Sequence, residues 1–173
     1  HEEQHQWREA QVLRQRMAEA SADRENSGDQ AILAFLENEL GLQAIRDAHP
    51  EQGIKHFEAA IELDKHTVPA YLNMGDVHLS QGQPKAAVEV WEKVLRVAPE
   101  RSYLAFSRLE AAYTQLGIPS RFLDLCQRLV EANPQDWRAR LALGQYLATN
   151  GESIRALDLL FEGLVHNPHA LAI

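Results

Sequence analysis

The chain has 173 residues, 45% of them hydrophobic, and a formal net charge of −8, which leaves room for one sizeable domain or a short array of repeats. The negative balance, with no local basic patch, argues against nucleic acid as a partner, because phosphate contacts need clustered Lys and Arg. A single cysteine, Cys126, excludes an internal disulfide and a CxxC metal pair. No apolar run approaches the roughly 20 residues of a membrane span, so no membrane contact is expected from this stretch.

In chain order, QWREAQVLRQRMAEA places Trp7, Ala10, Leu13 and Met17 at helical spacing. It reads as the second helix of a preceding repeat that lacks its first helix. SADRENSGDQ (21–30) reads as a polar, mobile connection, so residues 1–30 form one section. Four helical hairpins are expected next, at 31–66, 67–100, 101–134 and 135–168, and residues 169–173 read as the start of a further helix. These ends suggest a piece of a longer protein with apolar end faces, and end-to-end self-association is expected of it.

The second hairpin shows the logic. Ala87, Val88, Trp91, Val94 and Leu95 form one wide apolar stripe, while Lys85, Glu89, Glu92, Lys93 and Arg96 cover the opposite face. Gly82 ends the preceding helix, Pro84 starts the next and Pro99 follows its end. No alternating β-branched run suggests a strand.

The hairpins repeat one pattern. Turn residues Ala48, Gly82, Gly117 and Gly151 are spaced 34, 35 and 34 apart, and Pro99, Pro134 and Pro168 are spaced 35 and 34 apart. Gly41, Gly75 and Gly144 are small first-helix residues; Gly53, Ala87 and Ala156 are their second-helix counterparts; Phe57, Trp91 and Leu160 follow four later. Gly75 and Ala87 are expected to meet at a close crossing, with Tyr71 and Trp91 filling the space beside it. The third hairpin breaks the pattern: Glu110 replaces the glycine and Phe122 replaces the alanine. Its crossing is expected to be wider or shifted. A period near 34 with this pattern resembles the tetratricopeptide repeat (TPR) family over about residues 34–168. The resemblance implies an all-α, right-handed superhelical solenoid.

Chemistry is sparse. His49 and His56 could share a helix face but for Pro50 between them, and His166 and His169 flank a turn. Neither pair has a matching second pair, so no metal site is assigned. Cys126 occupies the Phe57/Trp91/Leu160 position and reads as a small core residue, not a nucleophile. No catalytic triad, phosphate loop or paired-carboxylate motif is present, so no catalytic residue and no cofactor are assigned and the chain is not read as an enzyme.

Binding remains. In a TPR superhelix the first helices line a concave groove, and the groove candidates are Asn38, Leu42, Asn73, Asp76, Arg108, Thr114, Gln115, Arg138 and Gln145, a mixture suited to an extended peptide or a helix. Asn73 and Arg108 occupy positions that chaperone-type TPR domains use to clamp a terminal carboxylate. The partner lysines of that clamp are absent: Leu42, Asn38 and Leu104 stand in their places, which counts against a carboxylate clamp. The alternative is that Asn73 and Arg108 hydrogen-bond between neighbouring helices.

A narrower resemblance lies in SYLAFSRLEAAYTQLGIPSRFLDLCQRLVEANPQ, in LENELGLQAIRDAHPEQGIKHFEAAIELDKHTVPAYLNMGDVHLSQG and in QWREAQVLRQRM before the long connection. These are similar to the lipopolysaccharide assembly protein B family of Gram-negative bacteria. That likeness implies a cytoplasmic adaptor regulating lipopolysaccharide synthesis, whose parent is anchored to the inner membrane and carries a rubredoxin-like metal domain. The likeness further implies that such an adaptor links the deacetylase of lipid A synthesis to a membrane protease. The four-cysteine site has no counterpart here. A second reading is a partner-targeting array of a larger enzyme, such as an N-acetylglucosaminyltransferase.

Overall fold

The computed structural model describes Val12 and residues 27–166. Among residues 27–166 every element is helical: α1 (Ser27–Arg46), α2 (Pro50–Leu63), α3 (Val68–Ser80), α4 (Pro84–Val97), a 3-10 helix (Pro99–Ala105), α5 (Phe106–Gln115), α6 (Ser120–Ala132), α7 (Trp137–Thr149) and α8 (Ser153–His166). The chain divides into two compact units, one ending at Ala105 and one starting at Phe106. In the first, α1 packs on α2, α2 on α3, and α3 on α4. In the second, α5 packs on α6, α6 on α7, and α7 on α8. The helix expected around Trp7, residues 21–26, Pro168 and residues 169–173 lie outside the described residues.

The helix ends follow from local chemistry. Pro50 and Pro84 sit in the first turns of α2 and α4, where a missing N–H costs nothing. Ala48, Gly82, Gly117 and Gly151 all adopt positive φ, between 62° and 85°. Each closes its helix with the same pair of bonds. Gly82 N donates to Leu79 O at 3.0 Å and Gln83 N to His78 O at 2.9 Å, and Ala48 N and His49 N donate to Ile45 O and Ala44 O likewise. This double closure satisfies the carbonyls that a helix end leaves open. Ala48 does so with a Cβ, at a cost of about 1–2 kcal/mol for a left-handed non-glycine residue.

Three expectations are revised. Residues 27–30 belong to α1 and not to the connection; Asp29 in the first turn complements the helix N-terminus. The atoms that a Cβ on Gly75 would meet first belong to the Trp91 indole, so Trp91 packs against the glycine itself and not merely in the space beside the crossing. A Cβ built on Gly75 would stand 2.5 Å from Trp91 Cε2. Trp91 is fully buried, and its Nε1 donates to Leu72 O at 3.1 Å. Gly41 meets Phe57 and Gly144 meets Leu160 in the same way. The small residue on the first helix is therefore the seat of the large residue on the second. Third, the irregular hairpin departs at its start as well as its crossing: a 3-10 helix occupies 99–105, and only ten α-helical residues follow in α5.

Candidate partner-binding faces

The candidate residues fall in both units, and each unit holds its own set. On the first, Asn73 Nδ2 donates to Asn38 Oδ1 at 2.9 Å, and Asn38 Nδ2 donates to Glu39 Oε1 at 3.3 Å. Asn38 is buried and presents little surface of its own; it fixes the Asn73 amide, which stays partly exposed between α1 and α3. The helix-to-helix alternative is thus realised for Asn73, and it leaves the amide oriented at the surface. Leu42 and Asp76 are likewise partly exposed. With Glu39 on α1, this face offers amides and carboxylates.

The second unit differs in charge. Arg108 on α5 and Arg138 on α7 are partly exposed. The Arg138 guanidinium lies over the Trp137 ring, 4.8 Å from its centroid, a distance at which cation–π attraction acts. Its backbone N–H is held by the N-cap carboxylate of Asp136 at 3.0 Å. Thr114, Gln115 and Gln145 are exposed. The Thr114 hydroxyl donates to Glu110 O at 2.8 Å, so it meets a ligand as an acceptor.

Other groups are committed to structure. His56 pairs with Glu37, Nδ1 to Oε2 at 2.7 Å, linking α2 to α1. Among the described residues no cluster of three or more His, Cys, Asp and Glu is placed to hold a metal ion. Burial, then the nearby Glu110 carboxylate, pushes the Cys126 thiol up to about 12, which leaves it protonated and unreactive at neutral pH. Arg140 is 5% exposed in the register that Tyr71 and Phe106 hold elsewhere. Its Nη1 donates to Leu159 O at 3.1 Å and its Nη2 to Pro134 O at 3.2 Å. Tyr71 makes the matching bond, Oη to Lys65 O at 3.2 Å. Sequence reasoning passed over Glu37 and Arg140. The signal was available, since both stand one helical turn before a repeat glycine, where an aromatic is found in the other two hairpins.

A tetratricopeptide repeat family model matches residues 72–136 and 123–168, more than half of the chain. The chain belongs to the tetratricopeptide repeat family. This TPR protein is 28% identical over 93 residues to BBSome complex member BBS4 of Bos taurus, covering 54% of this chain and 18% of that one. It is 33% identical over 72 residues to the chloroplastic TPR protein PYG7 of Arabidopsis thaliana, covering 42% and 24%. It is 32% identical over 79 residues to the probable N-acetylglucosaminyltransferase SPINDLY of Hordeum vulgare, covering 46% and 8%. The chain spans less than a quarter of the length of these relatives. Among solved structures it resembles MamA at a TM-score of 0.52 and 14% identity, over 99% of this chain and 95% of that one. YrrB, described as a TPR protein with an unusual peptide-binding site, matches at 0.52 and 24% over 91% and 76%. These likenesses carry the fold. No helix of the described residues is long and apolar enough to cross a membrane.

Proposed function

We propose that the exposed first-helix faces dock an extended peptide or helix of a partner protein, and that the chain acts as a scaffold without catalysis of its own. The observation that carries this reading is the Asn38–Asn73 bond. A buried amide fixes a surface amide, whose own donor and acceptor suit a peptide backbone. The unit 1 face, with Glu39 and Asp76, suits backbone N–H groups and basic side chains; the unit 2 face, with Arg108 and Arg138, suits carboxylates. The peptide-binding site ascribed to YrrB supports the same use of the fold. A peptide-display selection against the chain, followed by titration calorimetry, tests it. Asn73→Ala and Arg108→Ala should each weaken a selected peptide by up to about tenfold, the scale of one lost polar contact. Undiminished affinity in both would remove these faces from the binding site.

The finer reading is an adaptor in the control of lipopolysaccharide synthesis, working on the cytoplasmic side of a bacterial inner membrane. Its support is the likeness of the third hairpin, with Glu110 and Phe122 out of pattern, to the assembly protein B family. Direct binding of the purified lipid A deacetylase is its test, and no binding would overturn it. A second reading, an array that targets a larger N-acetylglucosaminyltransferase, draws on the SPINDLY match. A catalytic α/β domain in the same gene product would favour it.

A further inference from the structure

The outer surface of α8 breaks the repeat in a way that stacking does not require. Ile154, Leu157, Phe161 and Val165 are 78%, 55%, 64% and 80% exposed. At about 100° per residue, Ile154, Phe161 and Val165 fall on one face, opposite the buried Ala156. The other hairpins keep this face polar. Three residues past the turn, where Ile154 stands, they carry Glu51, Lys85 and Ser120. At the Phe161 position they carry Glu58, Glu92 and Gln127, and at the Val165 position Glu62, Arg96 and Glu131. The α2 and α4 helices have helical neighbours next in the chain and still keep charge here. The α8 stripe is therefore not simply a stacking face left open; it is an apolar surface added to the outside of one hairpin.

We propose that this stripe pairs with the same stripe of a second copy of the chain, the two α8 helices running antiparallel about a two-fold axis. Charge order selects the occupant. Arg155 and Glu162 lie on the same flank of the stripe, two turns apart. Flanking positions on one side face each other when two helices run in opposite directions. Arg155 of each copy then meets Glu162 of the other, and the pairing is its own complement, as a two-fold interface requires. Both side chains keep exposed surface: Arg155, held by Glu152 in its own helix, is 59% exposed, and Glu162, 3.7 Å from the Arg140 guanidinium, is 71% exposed. Asp158 lies between them on the same flank and faces its own copy. That like-charge contact opposes pairing and fixes the sign of a further test.

Sedimentation velocity on the 173-residue chain over a concentration series decides it. Wild type should dimerise. Phe161→Glu, and separately Val165→Glu, should weaken the dimer about tenfold or more with helical circular dichroism unchanged. Arg155→Glu should weaken it, Glu162→Gln added to Arg155→Glu should recover part of that loss by removing the like-charge contact, and Asp158→Asn should tighten it. A monomer at every concentration overturns the proposal and leaves the stripe to a helix of another protein or of a longer chain. A dimer indifferent to Phe161→Glu and Val165→Glu places the contact elsewhere and overturns it too. Failure of Glu162→Gln to recover any of what Arg155→Glu lost overturns the antiparallel arrangement.

Discussion

The α3–α4 and α5–α6 hairpins do the same job with the sizes exchanged. In α3–α4, Gly75 on the first helix seats Trp91 on the second, and Ala87 one turn earlier is small. In α5–α6 the glycine is replaced by Glu110, and the matching second-helix residue shrinks to Cys126, fully buried. The lost volume reappears one turn earlier at Phe122, which is 1% exposed. Its ring stands 6.4 Å from Phe106 at 74° and 5.6 Å from Tyr146 at 57°, both favourable aromatic separations. What the repeat conserves is the filled space at the crossing, and two arrangements of side chains fill it.

Cavity variants should separate the two hairpins most. Trp91→Ala is expected to cost about 3–5 kcal/mol, because it also strips the Leu72 carbonyl of a donor, whereas Cys126→Ala should cost about 1 kcal/mol. Urea unfolding followed by circular dichroism reads both, and equal costs would break the comparison. Overpacking comes next. Gly75→Leu drives a side chain into a rigid buried indole and should lower stability by about 1–3 kcal/mol. Glu110→Leu occupies a site already built for a long side chain and should change it by less than about 1 kcal/mol.

The Cys126 thiol sharpens the contrast through pH. Its folded pKa, about 12, lies above its ordinary value of 9.0. The folded state holds the proton longer than the unfolded state, so this contribution is complete below pH 9 and fades as pH rises from 9 towards 12. Cys126→Ala should flatten the alkaline fall in stability over that window, and iodoacetamide should modify wild type only as fast as it unfolds. Rapid alkylation of the native chain would contradict the buried assignment. The smallest effect lies at a turn. Ala48→Gly should stabilise by up to about 1 kcal/mol, since glycine accepts φ 62° without a Cβ penalty, while Gly82→Ala should cost a similar amount. Melting temperatures moving the same way in both would refute the left-handed reading.

Much of this was legible in sequence because it depends on single residues at fixed spacing. The turn series placed Ala48 among three glycines, and its backbone follows them. Glu110 and Phe122 announced a changed crossing for the same reason. Their compensation by Cys126 was harder to read, since a buried small residue is unremarkable by type and gains meaning only beside Glu110. Arg140 and Glu37 were missed because charged side chains on a helix usually mark its wet face. Here carbonyls six residues upstream and nineteen residues downstream accept from the two Nη groups of Arg140, the Glu162 carboxylate stands 3.7 Å from Nη1, and the buried Nε is left without a hydrogen-bond partner; His56 partners Glu37. On the candidate faces, residue type identified Asn73, but only its bond to Asn38 shows which of its two uses, ligand contact or interhelical tie, constrains the amide.

The two tryptophans of the described residues have a practical consequence. The Trp91 indole is enclosed within the first unit with its N–H committed to a carbonyl, and should emit at short wavelength with little quenching. Trp137, in the second unit, is partly wet and carries the Arg138 cation on its face, so its emission should be red-shifted and responsive to salt. In a chain with Trp7 replaced by phenylalanine, the fluorescence spectrum becomes a two-channel record in which each unit reports its own loosening.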